Sequence, residues 1–212
     1  CLVTGTMVTT DQGGRPVEQL TPGTRLMRLG GGWVDVLHVT MARVSKQQQM
    51  EHENLRAILI EPNALGPGAP ERRLRVSKQH RFLATGKIVQ RMFGEDQILI
   101  PAKDLLGLAG VSTDRPQDDL IYCNILCAKH EVIAAEGAWV ETLFLGEEAE
   151  NNLSPRDRDH IYALLASGRI DTEISQEPAS AFRRGPKVQR MLHRRRIKGR
   201  GRSLPAHQSE MT

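Results

Sequence analysis

A cysteine occupies position 1 of this 212-residue sequence, and in that place it can do unusual chemistry. Its thiolate can attack the carbonyl carbon of the preceding residue, which converts an amide bond into a more reactive thioester. Because the sequence has no initiator Met, we expect its N-terminus to result from processing or from truncation. The alternative is that Cys1 is a small buried hydrophobic residue that the chain boundary happens to expose, and Cys1 alone favours that alternative.

Two histidines and a serine supply the other groups that such a cleavage needs. The departing nitrogen must take up a proton, and histidine is the usual donor near neutral pH. His80 lies in RVSKQHRFL and His130 in YCNILCAKHEVIAAEG, both at predicted strand ends. Ser77 precedes His80 by three residues, so a turn lets the hydroxyl and the imidazole face one site. Taken singly, His80 fits a surface histidine better and His130 a structural one, since short motifs recur by chance.

The remaining cysteines, Cys123 and Cys127, predict neither a disulfide framework nor a metal site. Small disulfide-rich domains carry more cysteines, usually in even number, so we expect all three thiols to be free. Residues four apart on an extended strand are separated by about 13 Å, which is too far for a disulfide or for one shared ion. The spacing Cys123-x3-Cys127-x2-His130 therefore predicts no metal, and we expect no cofactor.

The net charge of +4 is distributed unevenly along the chain. Residues 1–177 contain 19 Lys and Arg against 24 Asp and Glu, whereas residues 178–212 contain ten basic residues and one acid. We expect this tail to be disordered, or to form a helix near residues 188–196 when a partner binds. A solvated tail is favoured over a nucleic-acid or membrane-surface ligand, because Phe182 is its one residue suited to base stacking. No apolar run is long enough to span a membrane.

Turn sequences separate short apolar stretches throughout the first 145 residues, which is typical of a compact all-β barrel or sandwich. Predicted strands cover residues 6–10, 25–29, 34–44, 55–61, 72–77, 88–92, 98–101, 120–126, 131–135 and 139–145. The polar residues 46–53 predict a loop.

Two segments are predicted to be helical. Residues 102–108 would form one or two turns. A longer helix is expected to begin after Ser154, with Pro155 at its first position and acids in its first turn, and to stop at Gly168. The predicted organisation is a β domain at residues 1–145, a helical appendage at 146–176 and a basic tail at 177–212.

Four ordered segments resemble the Hint (Hedgehog/intein) domain family, and more closely its bacterial intein-like group. They are C-L-x-x-G-T-x-V-x-T at 1–10 with G-x-x-P-V-E-x-L-x-x-G at 13–23, R-L-R-V-S-x-x-H-R-F-L at 73–83, I-L-I-P-A-K-D-L at 98–105 and H-E-V-I-A-A-E-G-A-W-V-E-T-L at 130–143. They span about two thirds of the chain, and their order makes the set far more specific than any one segment. The resemblance implies an all-β, horseshoe-like fold with pseudo-twofold symmetry.

The resemblance also assigns roles to the residues above, and it overturns the prior reading of Cys1 and His80 as inert. It implies a single-turnover self-processing reaction in which Cys1 Sγ attacks the preceding carbonyl in an N-to-S acyl shift. His80 would hold and protonate the scissile nitrogen, Ser77 would help to position it, and His130 would have a supporting role. The thioester would then pass to water, a thiol or an amine, so the expected partner is the upstream polypeptide of the same precursor.

Departures from the family pattern limit the expected reaction to the N-terminal junction. Full inteins end their last block in His-Asn, whereas Glu141 and Thr142 occupy those positions here. Cys123 lies near the place where many inteins carry an Asp that assists the first step. We interpret Glu131, Glu136 and Glu141 as charges on a solvent-facing side of the strands.

Two functional hypotheses follow. The first is autocatalytic cleavage of the upstream polypeptide without full splicing, which is not a multiple-turnover activity. The second is a catalytically degenerate Hint fold that acts as a structural or interaction module, with its basic tail binding anionic partners. We expect a monomer with no obligatory nucleic acid. The resemblance suggests secretion as part of a larger bacterial precursor, but the residues leave localisation open.

Overall fold

Fifteen short strands and four α-helices are formed by the residues that the computed structural model describes, which are 1–145, 153–170 and 177–197. The strands are β1 (Leu2–Val3), β2 (Met7–Thr10), β3 (Gly13–Pro16), β4 (Arg25–Met27), β5 (Trp33–Asp35), β6 (His38–Val44), β7 (Ile58–Ile60), β8 (Leu74–Val76), β9 (Arg81–Thr85), β10 (Gln97–Pro101), β11 (Val111–Thr113), β12 (Leu120–Leu126), β13 (Val132–Ala135), β14 (Ala138–Glu141) and β15 (Ala181–Phe182). The helices are α1 (Lys46–Glu51), α2 (Lys87–Phe93), α3 (Pro155–Ala166) and α4 (Pro186–Ile197).

The strands form two curled sheets, and the prediction of an all-β fold is confirmed. Within the described part of the chain, one sheet has six strands in the order β11-β7-β8-β1-β12-β6. The other has nine, in the order β15-β10-β9-β14-β13-β2-β4-β5, with β3 paired to β2. Side chains from both sheets form one main core, to which β8 of the six-stranded sheet contributes Leu74 and Val76 and β10 of the nine-stranded sheet contributes Ile98 and Ile100.

The first strand has only two residues, but it lies inside the six-stranded sheet. Leu2 pairs with Val76 of β8 on one side and with Cys123 of β12 on the other. All three side chains are almost completely buried. A residue directly before such a strand has little freedom, so this pairing fixes the position of Cys1 in the fold.

A tight hairpin joins β13 to β14 and sets the spacing between His130 and Glu141. Its two turn residues, Glu136 and Gly137, have φ angles of 47° and 72°, as a type I′ turn requires. A Cβ atom on Gly137 would lie 2.1 Å from the carbonyl oxygen of Gly68, so this position requires glycine. The Glu136 carboxylate accepts hydrogen bonds from the backbone of Met7 at 2.7 Å and from the Arg72 guanidinium, which ties the hairpin to β2.

Two local predictions were wrong. Residues 88–92 form helix α2 rather than a strand, because Gly86 and Gly94 delimit a single helical segment and Gly94 takes the left-handed conformation at its end. Residues 46–51 form helix α1 rather than a loop, because Ser45 supplies a complete capping box with Gln48. Short apolar and polar stretches of this kind are ambiguous until tertiary packing selects one conformation.

The predicted helix after Ser154 is confirmed as α3. The Ser154 hydroxyl accepts a hydrogen bond from the backbone of Asp157, and Pro155 occupies the first helical position. Ile161 and Leu164 pack in a separate small core with Leu37 and with Leu126, the last residue of β12. This helix therefore covers the sheet next to the end of β12. None of the helices that the structure describes is both long enough and apolar enough to cross a lipid bilayer.

Of the predicted tail, residues 177–197 are described by the structure and include a strand and a helix. Strand β15 pairs in parallel with β10, and helix α4 places Val188, Met191 and Leu192 in the main core. Burial of each such side chain contributes about 1.5–3 kcal/mol, which explains why a strongly basic segment docks on its own domain. The expected helix near 188–196 is present, with the domain core rather than a separate partner as its contact surface. The rest of the predicted tail, residues 198–212, lies outside the described residues.

Candidate active site around Cys1

The structure brings Cys1, Ser77 and His80 together. The Cys1 amine lies 3.1 Å from the Ser77 hydroxyl oxygen and 3.1 Å from Nδ1 of His80. The Cys1 carbonyl accepts a hydrogen bond of 2.9 Å from the Ser77 backbone. The nitrogen of the bond that would precede Cys1 is therefore surrounded by one hydroxyl and one imidazole.

A short turn between β8 and β9 presents Ser77 and His80 on the same side. The His80 backbone donates a hydrogen bond to the Ser77 carbonyl at 3.1 Å, which closes the turn. A 3-10 turn at Ala102–Leu105 holds it from outside, because the Ala102 N–H donates to the His80 carbonyl at 2.8 Å. The His80 ring is 4% exposed and its edge meets the ring of Phe82. Contacts within the domain therefore position both side chains without a contribution from the upstream polypeptide.

Burial keeps the two nitrogen groups at this site uncharged near neutral pH. Loss of solvent lowers the pKa of the Cys1 amine from 8.0 to about 5, with Glu141 partly opposing this shift. Cys1 keeps some solvent exposure as a residue, but its amine is enclosed. Burial, the amine itself and the nearby Arg81 also hold the pKa of His80 well below its usual value. A neutral imidazole beside this nitrogen can accept a proton as a base and, once protonated, donate it to the nitrogen.

The third predicted residue, His130, lies in a neighbouring cluster rather than against the Cys1 amine. Its Nε2 is 3.3 Å from Glu141 Oε2, and its Nδ1 accepts a hydrogen bond of 3.0 Å from the Ala179 backbone. Phe144 and Phe182 meet its ring edge-on, with centroids 5.1 and 5.8 Å away. The cluster affects the Cys1 amine through charge, since Glu141 raises the pKa of the amine.

Arg81 and Glu141 form the charged centre of this cluster, and the interpretation of Glu141 as a solvent-face charge was wrong. The Glu141 side chain is 8% exposed and accepts hydrogen bonds from both the backbone and the guanidinium of Arg81, at 3.0 Å each. Burial alone would raise the pKa of Glu141, but His130 and Arg81 outweigh it and keep the pKa below its usual range. Glu131 and Glu136 are also buried, against the same expectation.

The other two cysteines are buried thiols. All three cysteines are free, as expected. Burial raises the pKa of Cys123 to about 11 and that of Cys127 to about 12, so neither forms a thiolate readily. Within residues 1–145, 153–170 and 177–197, no group of three or more His, Cys, Asp or Glu side chains is arranged to hold a metal ion.

Comparison with known proteins places these observations in a family. The family model described as Hint domain matches residues 1–147. No curated protein matches the sequence. The solved structures that resemble the fold include three intein-related proteins, each at low identity.

The first is a splice-inactive variant of the AceL NrdHF class 3 split intein, at 15% identity and a TM-score of 0.44, which covers 66% of this chain and 95% of its own. The second is a bacterial intein-like domain from Clostridium thermocellum, at 9% identity and a TM-score of 0.43, with coverage of 67% and 97%. The third is a DnaB intein from Synechocystis sp. PCC 6803, at 10% and 0.39, with coverage of 67% and 98%. Because the family model matches more than half of the sequence, this chain belongs to the Hint domain family.

Proposed function

We propose that this domain cleaves the peptide bond that precedes Cys1 in its precursor, through a thioester on Cys1 and without splicing. Membership of the Hint family supports self-processing of its own precursor in general. The observation that carries the specific proposal is the placement of the Cys1 nitrogen 3.1 Å from both Ser77 Oγ and His80 Nδ1. In the precursor this nitrogen belongs to the scissile amide.

The proposed reaction balances with the groups at hand. Cys1 Sγ forms a bond to the preceding carbonyl carbon, and the carbon–nitrogen bond breaks. The proton lost by the thiol is transferred through His80 to the departing nitrogen, which becomes the amine seen in contact with it. Ser77 holds that nitrogen in line while the bond breaks. Water, a thiol or an amine then takes the acyl group from sulfur and restores the Cys1 thiol.

The end of the last family segment argues against splicing. Thr142 stands where an intein-type reaction needs an Asn that can cyclise, and a threonine side chain has no amide to attack with. Its hydroxyl accepts a hydrogen bond of 2.9 Å from the Glu131 backbone. The next residue, Leu143, donates to the Ile125 carbonyl at 2.7 Å, and Leu143 and Leu145 pack beside helix α3. The downstream chain is thus part of the packed domain.

A reporter protein fused upstream of Cys1 tests the proposal. We expect the fusion to break at this junction faster in dithiothreitol or hydroxylamine, because both attack a thioester. Mass spectrometry of the released reporter should show the hydroxamate when hydroxylamine is used. Cys1→Ala should leave the fusion intact.

The matched controls separate chemistry from folding. Cys127→Ala removes a buried thiol outside the site and should leave cleavage unchanged. A folded wild-type fusion that stays intact under every condition would contradict the proposal. It would also revive the hypothesis of a degenerate module, which the assembled Cys1, Ser77 and His80 do not favour.

A further inference from the structure

The segment from residue 177 to 194 returns to the β domain next to the active site, beyond the 1–147 stretch that the family model matches. We call residues 177–194 the C-terminal strap. Its strand β15 extends the nine-stranded sheet by pairing Ala181 with Ile98 and Phe182 with Leu99. The Arg183 backbone adds a hydrogen bond of 3.0 Å to the Leu99 carbonyl.

The strap contacts His130 directly and determines which ring nitrogen carries the proton. The Ala179 N–H donates to Nδ1 of His130 at 3.0 Å, so that nitrogen must be unprotonated. The proton is therefore on Nε2, which faces Glu141 Oε2 at 3.3 Å. Because the His130 side chain is fully enclosed, a change of tautomer would leave the Ala179 N–H without an acceptor.

The strap also covers the Arg81–Glu141 pair. Phe182 lies under the Arg81 guanidinium, whose central carbon is 3.9 Å from the ring centroid. The same ring meets His130 and Phe144 edge-on. One aromatic side chain of the strap thus packs against both Arg81 and His130, the two residues that hold the Glu141 carboxylate.

The strap is anchored at a second point that leads to His80. The Gly185 N–H donates to the Asp104 carboxylate at 2.5 Å, just before helix α4 begins. Asp104 belongs to the 3-10 turn whose first residue, Ala102, holds the His80 carbonyl. Beyond this point Val188, Met191 and Leu192 fix the helix in the main core. The strap therefore contacts His130 directly and, through Asp104, contacts the turn that holds the His80 backbone.

We propose that the C-terminal strap is a positioning element of the self-processing site, in which Ala179 fixes the His130 tautomer and Phe182 holds the Arg81–Glu141 pair. This inference rests on the proposed cleavage reaction. Ala179 and Phe182 act through other residues and do not contact the Cys1 nitrogen, so they are positioning residues. The functional unit then consists of the Hint fold and a segment outside the part that defines its family.

The decisive variant is Ala179→Pro in the full chain, because proline lacks the N–H that His130 accepts. Its matched control is Ala179→Gly, which keeps that N–H. The direct readout is the nitrogen-15 spectrum of the His130 ring, which distinguishes Nε2–H from Nδ1–H. Wild type and Ala179→Gly should show only the Nε2–H form, and Ala179→Pro should show an additional Nδ1–H population, because Glu141 alone then favours the Nε2–H form.

The second readout is the cleavage rate of the reporter fusion. We expect Ala179→Pro to slow cleavage by about 10- to 100-fold, the range lost when the outer partner of a metal-bound imidazole is removed. Phe182→Ala should also slow cleavage while leaving the Ala179 N–H in place, and it decides the matter if the proline variant fails to fold. Arg190→Ala, on the exposed face of α4, should behave as wild type.

The outcomes separate the strap from the proposed reaction. A wild-type fusion that does not cleave would contradict the reaction, and the ring spectrum would still test the strap. Folded Ala179→Pro and Phe182→Ala variants that cleave at the wild-type rate would overturn the positioning role of the strap. An Nδ1–H signal for His130 in the wild-type protein would overturn it as well.

Discussion

His80 and His130 are both almost fully buried, yet the protein holds them in opposite ways. His80 has one nitrogen against the Cys1 amine, and its Nε2 has no hydrogen-bond partner among the residues that the structure describes. His130 accepts a hydrogen bond from Ala179 at Nδ1, and its Nε2, which also lacks a hydrogen bond within the described part of the chain, lies 3.3 Å from the Glu141 carboxylate. The first histidine is supported through its backbone, and the second through its ring.

Under the proposed reaction, this contrast assigns a different task to each histidine. A group that transfers a proton must change its protonation state during the reaction, and the low pKa of His80 leaves it neutral and able to do so. A ring whose Nδ1 accepts a hydrogen bond and whose Nε2 faces a carboxylate keeps its proton on Nε2. This fixed arrangement allows His130 to orient Glu141, whose charge acts on the Cys1 amine.

The largest expected difference between the two histidines is in cleavage rate. His80→Gln should slow cleavage of the reporter fusion by about 10²- to 10⁴-fold, because general acid catalysis contributes that much. His130→Gln should slow cleavage by a smaller factor, because His80, the proposed proton-transferring group, remains. Rates measured under single-turnover conditions at one pH give the comparison. Equal losses for the two variants, with both proteins folded, would remove the distinction.

The buried amine predicts a pH dependence of stability in the cleaved form. Its pKa is about 5 when folded and 8.0 when free, so the unfolded chain binds more protons between these values. The free energy of unfolding should therefore rise as the pH rises from 5 to 8, by at most about 4 kcal/mol. Urea unfolding of Cys1→Ala chains, with the amine free or acetylated, isolates this contribution. The same slope in both chains would show that the amine is not enclosed.

Arg81, His130 and Glu141 form the second cluster of the site. Removal of its carboxylate should destabilise the fold somewhat less than full protonation of the buried amine. Glu141→Gln leaves Arg81 without its counter-charge in a largely buried position, and a broken buried pair costs about 3 kcal/mol or more. Because Arg81 is partly exposed, we expect the loss in the free energy of unfolding to be about 3 kcal/mol. Thermal or urea unfolding measures it, with Glu95→Gln as the control that breaks the more exposed pair with Arg183. If Glu141→Gln were no more destabilising than Glu95→Gln, the second cluster would not be a buried charged centre.

The two regions also differ in how far the sequence predicts them. Ser77 and His80 are three residues apart in one turn, so their approach to a common point follows from local geometry. The position of Cys1 follows once the first segment is recognised as the start of a strand. The assembly of this part of the site was therefore predictable from spacing and family resemblance.

The second cluster depends on contacts between residues far apart in the chain. Glu141 looks like a solvent-facing charge until Arg81, from the neighbouring strand, is seen to bind it. Residues 181–194 look disordered by composition, and within the helix only the three apolar positions at 188, 191 and 192 indicate a face that can dock. Composition averages over a segment, whereas docking depends on a few side chains and on the surface that receives them.

The enclosed amine of Cys1 makes the proposed first step readily reversible. An amine with a pKa of about 5 is a free nucleophile at neutral pH, and it lies beside the thioester from which it has just departed. Return of the acyl group from sulfur to nitrogen therefore competes with its capture. The yield of cleaved product should depend on how much acceptor is present and how quickly it reaches the site, because the acceptor must take the acyl group from sulfur before it returns to nitrogen.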